Sequence, residues 1–339
     1  MHPGSLLIVL LTLLAPAAQA QLSDDDFANA EKNYQEGRLA VAETLYARIA
    51  PGQPDYPQAQ LRLGTLFYST GRPVEAERCF REHLRFQESA EAYALLAGAQ
   101  FNQEKFAAAL ESAKKALALD PKSAKAYTAL GMVYTAYKDW AHADAAFREA
   151  LRLDQKDSSI WFLQGRSYFF RNEFEKAKGA FETALHLSPQ SVRTLENLAL
   201  TLDLLSQPAA AENMFLRGVE ANRRGPRPEA RVHIAYAAFL FKLGRLEESE
   251  AQLRQAVKLE PQNPEARYEL ARVLFRRKQW PEAASQAEAA LRANQPDYRV
   301  HFLLSRIYTA LGDQQAASFH AQRAAVIADR EQLRSKKQL

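Results

Sequence analysis

Six histidines and one cysteine are the side chains after residue 20 that are best suited to metal binding or nucleophilic chemistry. They are scattered along the chain, at Cys79, His83, His142, His186, His233, His301 and His320. No two histidines have the H-E-x-x-H spacing of a zinc site, and we find no glycine-rich phosphate loop and no nucleophile elbow. Because catalysis needs several groups that converge on one reacting atom, we expect no catalytic site, no metal site and no cofactor.

Cys79 is the only cysteine in the sequence. Neither an intramolecular disulfide nor a cysteine-based zinc site can form from one thiol, so the stability of the fold must come from packing. The residue lies on an apolar helical stripe. We therefore expect Cys79 to act as a small buried hydrophobic residue and not as a reactive thiol.

The charge of the sequence is nearly balanced, with 44 basic and 40 acidic residues and a formal net charge of +4. This balance lacks the basic stripe of a nucleic-acid-binding protein, so we expect no nucleic acid partner. The charge is uneven, however, since residues 21–180 hold 21 basic and 22 acidic side chains, and residues 181–339 hold 23 and 18. The second half should therefore be the half that attracts anions.

The first twenty residues have the composition of an export signal. An apolar run from Leu6 to Leu14 precedes the small-residue motif Ala18-Gln19-Ala20, after which cleavage is expected. The run is too short for a bilayer-spanning helix, which needs about 20 apolar residues, and no later segment is long or apolar enough. We expect an exported protein, periplasmic or secreted, without a transmembrane segment after cleavage. An uncleaved anchor is the alternative, because residues 1–20 contain no lysine or arginine.

The elements that carry these side chains repeat along the sequence. The stretch at 127–154 aligns with the stretch that follows it at a constant offset of 34, so that Gly131 falls on Gly165 and Ala143 on Ala177. Extending this offset in both directions gives nine units over roughly residues 22–326. The first small position of the nine units is Ala30, Gly64, Ala97, Gly131, Gly165, Ala199, Ala237, Ala271 and Ser305, and the second is Ala42, Ala76, Ala109, Ala143, Ala177, Ala211, Ser249, Ala283 and Ala317.

Each unit contains two apolar stripes with helical spacing, separated by a turn such as Thr70-Gly71-Arg72. This pattern predicts a helical hairpin. The small residues let its two helices approach closely, while large residues such as Phe181 fill the space between neighbouring hairpins. One hairpin cannot bury its apolar face alone, so the units are expected to stack.

The pattern resembles the tetratricopeptide repeat, in which W-x-x-L-G-x-x-Y is followed by A, F, A and P at fixed intervals. The fifth unit shows this order at Trp161, Gly165, Tyr168, Ala177 and Phe181. The resemblance covers about nine repeats and nearly the whole chain after residue 20. It implies an all-α, right-handed superhelical solenoid of helix-turn-helix repeats.

We predict five segments along the chain. They are a signal peptide at 1–20, repeats 1–6 at 21–222, a longer loop at 223–229, repeats 7–9 at 230–325 and a C-terminal capping helix at 326–339. The longer loop is predicted because Ala199 and Ala237 are 38 residues apart and Gly225, Pro226 and Pro228 lie between them. Such a loop could act as a hinge between the two groups of repeats, or it could be a tolerated surface insertion.

The resemblance also implies a binding surface. In the family, the first helices of the repeats line an extended concave groove, and positions 2, 5, 9, 12 and 13 of each first helix face it. In repeats 5–9 these positions, together with one neighbouring position 6, are rich in arginine and aromatic residues. The candidate groove residues are Phe162, Arg166, Phe169, Phe170, Arg193, Asn197, Arg231, Phe241, Tyr268, Arg272, Phe275, Arg276, Arg299, Phe302 and Arg306.

These side chains suit an extended acidic peptide, since guanidinium groups bind carboxylates in a bidentate manner and aromatic rings supply contact area. We therefore expect a non-catalytic protein-interaction scaffold of the cell envelope, with a protein or peptide partner in the groove. The alternative is an accessory module of a polysaccharide synthesis or export machine that contacts glycan or an outer-membrane partner. A third hypothesis, a regulatory fragment of a glycosyltransferase, is disfavoured because the sequence has no catalytic domain.

Overall fold

The computed structural model describes residues 26–293 and 297–336, and the predicted signal peptide at 1–20 lies outside the described residues. All regular secondary structure in the described part is helical and consists of eighteen helices. They form nine consecutive pairs that match the nine predicted units, so the predicted all-α class of hairpin repeats is confirmed.

The first eight helices are α1 (Asp26–Gln35), α2 (Leu39–Arg48), α3 (Tyr56–Ser69), α4 (Pro73–Phe86), α5 (Ala90–Phe101), α6 (Phe106–Leu119), α7 (Ala124–Ala136) and α8 (Trp140–Leu153). The next five are α9 (Ser158–Phe170), α10 (Phe174–Leu187), α11 (Val192–Leu204), α12 (Pro208–Arg224) and α13 (Arg231–Lys242). The last five are α14 (Leu246–Leu259), α15 (Pro264–Arg276), α16 (Trp280–Ala293), α17 (Tyr298–Leu311) and α18 (Gln314–Lys336).

The chain divides into two compact units, one that ends at Ala136 and one that begins at Tyr137. Within each unit, every helix packs against the next helix along the chain. In the first unit, Tyr46 and Phe80 are fully buried, and in the second unit Phe181 and Phe215 are fully buried. These rings occupy equivalent positions in the second helices of their repeats, as the repeat pattern predicts.

Local signals in the sequence set the beginnings of many helices. Six first helices start after a residue whose side chain accepts a hydrogen bond from a backbone N–H of the first turn, which satisfies one of the free donors there. These capping residues are Ser89, Ser123, Asp157, Ser191, Asn263 and Asp297. Proline, which lacks an N–H and tolerates the first turn, begins α4, α12 and α15.

The turn inside each helix pair contains one residue with positive φ. Glycine takes this position at Gly37, Gly71, Gly244 and Gly312, and other residues take it at Glu104, Lys138, Asn172, Ser206 and Lys278. All nine repeats therefore share one left-handed turn conformation, including the five that lack the glycine that favours it.

Within each unit, the two helices of a pair cross where both carry a small residue. All nine second-helix positions are buried, and eight of the nine first-helix positions are buried, with Ser305 half-buried. At the seventh pair the serine hydroxyl of Ser249 donates to the backbone oxygen of Ala237 over 2.8 Å. The register of small residues predicted from the sequence is thus the register of the helix crossings.

An ion pair recurs between successive repeats. An acidic residue that directly follows the small position of a second helix pairs with a basic residue near the turn of the next repeat. The pairs are Glu43 with Arg72 (2.8 Å), Glu77 with Lys105 (2.8 Å), Asp144 with Arg171 (3.0 Å), Glu212 with Arg245 (2.7 Å) and Glu250 with Arg277. These contacts join five of the nine hairpins to the hairpin that follows.

The loop after α12 is held by one buried side chain. Asn222, which is 4% exposed, donates to the backbone oxygen of Glu229 and accepts from its N–H, both over 2.9 Å. Part of the longer interval is taken up by α12 itself, which has 17 residues where most helices have 13 or 14. The hinge function of this loop stays a prediction.

The predicted C-terminal capping segment continues the second helix of the ninth repeat. Helix α18 runs without interruption from Gln314 to Lys336, and residues 337–339 lie outside the described part. Among the described residues, no helix combines the length and the apolar character that crossing a bilayer requires. Cys79 is 3% exposed, and burial raises the pKa of its thiol to about 11, which confirms its expected role as a buried hydrophobic residue.

Candidate functional site

The candidate residues lie on the first helices of repeats 5–9, which are α9, α11, α13, α15 and α17 of the second unit. Helix α9 contacts α11, α11 contacts α13, α13 contacts α15 and α15 contacts α17, whereas the described second helices make no comparable contacts with one another. The stack is therefore tighter on the side of the first helices. We call the surface on this side the first-helix face.

Three arginines, Arg166, Arg193 and Arg231, lie near one another at repeats 5–7 of the first-helix face, and the charges of Arg193 and Arg231 also act on the buried carboxylate of Glu196. Arg231 donates to Glu196 over 2.8 Å, and the Glu196 side chain is only 6% exposed. Burial raises the pKa of Glu196, although Arg231 and Arg193 act in the opposite direction. Burial also lowers the pKa of Arg166, and the nearby charges of Arg231 and Arg193 lower it further.

Two of these three arginines have no carboxylate partner within the described part of the chain. Arg193 is exposed, and Arg166 is held over the ring of Phe170, 5.3 Å from its centroid. The cluster thus carries more positive charge than its own acid neutralises, and this charge is partly shielded from water. An anion that reached this site would be attracted strongly, because nearby opposite charge interacts most strongly where water is excluded.

A second group of arginines stacks on aromatic rings in repeats 7 and 8. The Arg272 guanidinium lies 5.0 Å from the ring centroid of Phe241 and 5.7 Å from that of Tyr268. It also donates to both oxygens of Glu269, over 2.7 and 2.6 Å. Arg276 lies on the same Phe241 ring at 5.4 Å and has no carboxylate partner among the described residues.

The ninth repeat extends this arrangement. Arg299 lies 5.0 Å from the Tyr268 ring centroid and pairs with Asp297 (2.8 Å) and Glu265 (3.2 Å). Arg306 lies 5.0 Å from the Phe275 ring centroid and makes no ion pair with any described residue. Stacking holds these guanidinium planes in place while leaving N–H edges available to a carboxylate.

The aromatic candidates differ in their exposure. Phe170 and Phe302 are each 57% exposed and are available for contact. The remaining rings are half-buried and also pack against the core, as Phe162 does against Phe181 at 5.8 Å. The half-buried rings are Phe162, Phe169, Phe241, Tyr268 and Phe275.

Asn197 does not lie on the first-helix face. Its side chain is 8% exposed and donates to the backbone oxygen of Arg193 over 2.8 Å, so it is used inside the helix. The reason is its place at position 6 of the first helix, one residue away from the positions that face outward. The other fourteen candidates are exposed or half-buried.

Sequence reasoning missed two features of this face. Glu269 supplies the carboxylate that Arg272 binds, and Lys242 pairs with Asp203 over 2.8 Å across neighbouring repeats. The separation of three residues between Glu269 and Arg272 was a usable signal, since such pairs are neighbours on a helix. The described residues contain no cluster of three or more histidine, cysteine, aspartate or glutamate side chains that could hold a metal ion.

Two family models, each described as the tetratricopeptide repeat, match most of the chain. One matches residues 100–166 and 240–307, and the other matches residues 17–94 and 162–226. The chain belongs to the tetratricopeptide repeat family. Tetratricopeptide repeats generally form non-catalytic modules for protein interaction, and the repeats of this chain support a protein-interaction scaffold. No curated protein sequence matches the chain significantly.

Solved tetratricopeptide repeat structures resemble the fold. A chain of the APC/C hetero-tetramer Cut9-Hcn1 aligns with a TM-score of 0.62 and 16% identity. The alignment covers 86% of the present chain and 57% of the length of the Cut9-Hcn1 chain. Yeast Tom70 aligns with a TM-score of 0.62 and 17% identity, covering 95% of this chain and 69% of that one. PilW, a widely conserved type IV pilus biogenesis factor, aligns with a TM-score of 0.53 and 27% identity, covering 60% of this chain and 92% of PilW.

Proposed function

We propose that the protein is a docking scaffold of the cell envelope that binds an extended, acidic segment of a partner protein along the first-helix face of repeats 5–9. The segment's carboxylates would be bound by guanidinium groups, and Phe170 and Phe302 would contact its apolar side chains. Several weak contacts on one continuous surface add up when they belong to the same segment.

One observation carries this proposal. Four arginines of the first-helix face have no carboxylate partner among the described residues. They are Arg166, Arg193, Arg276 and Arg306. Three of the four are held by stacking on rings, so little side-chain entropy is lost when they bind a carboxylate.

Two observations support placement in the envelope. Residues 1–20 have the composition of an export signal. The chain is also similar to PilW, a type IV pilus biogenesis factor, and pili are structures of the cell surface. The compartment can be tested by fractionating cells of the source organism and measuring the mass of the protein. We expect the protein outside the cytoplasm with Gln21 as its first residue, and a cytoplasmic protein that retains residues 1–20 would contradict this part of the proposal.

The binding face can be tested with a photoreactive amino acid. We would place benzoylphenylalanine at Phe302 on the first-helix face and, as a matched control, at Leu216 on α12, which is 52% exposed. Irradiation of intact cells should give a defined protein adduct at Phe302 and not at Leu216. Adducts only at Leu216, or glycan as the material attached at Phe302, would contradict the proposal.

A further inference from the structure

A pocket of ≈490 Å³ lies beside the first-helix face, in the sixth repeat and the loop that follows it. The start of α11 forms one wall, the end of α12 forms the second, and four loop residues form the third, which are Gly225, Pro226, Arg227 and Glu229. This is the place where the repeat interval lengthens from 34 to 38 residues. The additional residues therefore build a wall of the pocket.

The third wall is fixed in position. The two hydrogen bonds between Asn222 and the backbone of Glu229 close the loop, and the N–H of Gly225 donates to the backbone oxygen of Asn222 over 3.2 Å. Just beyond the loop, the N–H of Ala230 donates to Glu260 over 2.8 Å. A loop tied at both ends can hold a preformed pocket, which lowers the entropic cost of binding.

The charged side chains that line the pocket are mainly basic. Arg193, Arg224 and Arg227 line it together with a single acid, Glu229. Arg224 pairs with Glu220 over 2.6 Å, whereas Arg193 and Arg227 make no ion pair with any residue that the structure describes. Two guanidinium groups from different walls are thus available to one ligand.

The pocket also has an apolar surface, to which Val192, Ala221 and Pro226 contribute. Its volume is larger than an inorganic anion needs and lies within the range of about 300–1,000 Å³ found for small organic ligands. The ligand should therefore combine a negative charge with a short hydrocarbon part. Guanidinium forks match carboxylate geometry in particular.

We propose that this pocket binds a carboxylate carried on a short aliphatic chain. Two sources have this chemistry, an acidic side chain of a protein segment and a free dicarboxylic acid. The site does not depend on the proposed docking function, because Arg193 is the only one of its lining residues that belongs to the candidate residues of the first-helix face.

The test is isothermal titration calorimetry of the purified protein with two matched pairs of probes. Glutarate is compared with glutaramide, which has the same shape but no charge, and the peptide acetyl-Leu-Glu-Leu-amide is compared with its glutamine counterpart. The variants are Arg227→Ala, Arg193→Ala and Asn222→Ala, with Arg292→Ala on α16 as a control for the loss of one exposed positive charge. Circular dichroism checks that each variant is folded.

We expect a charged probe to bind the wild type and Arg292→Ala equally, and to bind Arg227→Ala and Arg193→Ala about tenfold more weakly or worse. Asn222→Ala should weaken binding as well, because it releases the loop. Binding of glutarate identifies a free acid as a ligand, and binding of the peptide alone identifies a protein segment. The proposal is overturned if neither charged probe binds, if the uncharged probes bind equally well, or if Arg292→Ala weakens binding as much as Arg227→Ala.

Discussion

The ring of Phe181 lies directly against the backbone of Gly165, so closely that a Cβ atom at Gly165 would be 2.7 Å from ring atoms Cδ1 and Cε1. The second repeat has the same relationship between Gly64 and Phe80, at 2.7 Å. In both pairs the missing side chain makes room for a fully buried ring. In each of these repeats, the close approach of the two helices and the filling of the core therefore depend on the same glycine and phenylalanine.

Gly165→Leu should destabilise the second unit by about 1–3 kcal/mol, because the added side chain meets the Phe181 ring in a filled core. Phe181→Ala should cost about 3–5 kcal/mol, because it leaves a cavity. Urea unfolding followed by circular dichroism measures both. The double variant should lose less stability than the sum of the two single variants, since the leucine side chain can occupy the space that the Phe181 ring leaves. Strictly additive losses would show that the two residues do not share this contact.

Lys278→Gly should stabilise the protein by about 1 kcal/mol. Lys278 has a φ of 63°, a left-handed conformation that is unfavourable for a residue with a side chain and costs glycine little. Gly244 occupies the equivalent turn of the preceding repeat with a φ of 79°, so Gly244→Ala should destabilise by a similar amount. Thermal melts of both variants test the pair, and a lower melting temperature for Lys278→Gly would contradict the prediction.

Glu77 should make the first unit sensitive to acid. Burial alone would raise the pKa of this carboxyl, but hydrogen bonds from Lys105, Arg81 and two glutamines outweigh burial and lower it to about 2. The pKa of Glu77 is thus lower in the folded protein than in the unfolded chain, where it is 4.5. The ionised carboxylate therefore stabilises the folded protein above pH 4.5, and this stabilisation is lost as the pH falls towards 2.

The free energy of unfolding should fall by roughly 3 kcal/mol between pH 4.5 and pH 2. Urea midpoints measured across this range should fall steeply for the wild type. The Glu77→Gln variant should be less stable than the wild type at neutral pH, and its free energy of unfolding should fall less on acidification. Equal slopes for the two proteins would show that another carboxyl is responsible.

Two facing histidines should make the ninth repeat sensitive to mild acid. The Nδ1 atoms of His301 and His320 are 2.9 Å apart, and the Tyr308 ring stacks on His320 at 5.6 Å. Burial lowers the pKa of both imidazoles, and the charges of His320 and Arg323 lower that of His301 further. Asp297 and Glu288 act in the opposite direction but do not reverse the shift.

Because these folded-state pKa values lie below the unfolded value, the stabilisation is complete above about pH 6.5 and is lost as the pH falls through the folded values. Hydrogen exchange of α17 and α18, corrected for intrinsic rates, should show protection falling severalfold between neutral pH and about pH 5. In a variant with His301→Gln and His320→Gln this decrease should disappear. An unchanged decrease would exclude the histidine pair as its cause.

The repeat register could be read from the sequence because it depends on residue size at a fixed interval. The small positions, the buried rings and the nine helix pairs follow from that interval. The recurrent ion pairs, such as Glu250 with Arg277, were missed because they join different repeats, at separations that depend on the turn conformation. The left-handed turn at Lys278 was missed for a related reason, since its sequence lacks the glycine that marks such turns.

The candidate site was predicted less completely than the fold. Family positions placed Arg166, Arg272 and Arg306 on the first helices, but they could not show which arginines share a carboxylate and which have none. That distinction depends on side-chain contacts between repeats, as between Arg231 and Glu196. Asn222 gave no signal at all, because its function is to bind the backbone of Glu229, seven residues away.

The most direct test of the proposed function is binding of the purified protein to an array of short peptides with random sequences. The face variant combines Arg166→Ala, Arg193→Ala, Arg276→Ala and Arg306→Ala. The control variant removes the same charge from exposed positions of second helices, through Arg148→Ala, Arg217→Ala, Lys258→Ala and Arg292→Ala.

The wild type and the control variant should bind peptides enriched in aspartate and glutamate, more tightly at low salt than at high salt. The face variant should lose this binding while it keeps the helicity of the wild type. Equal binding by both variants, or bound peptides with no enrichment in acidic residues, would contradict the claim that the first-helix face docks an acidic partner segment.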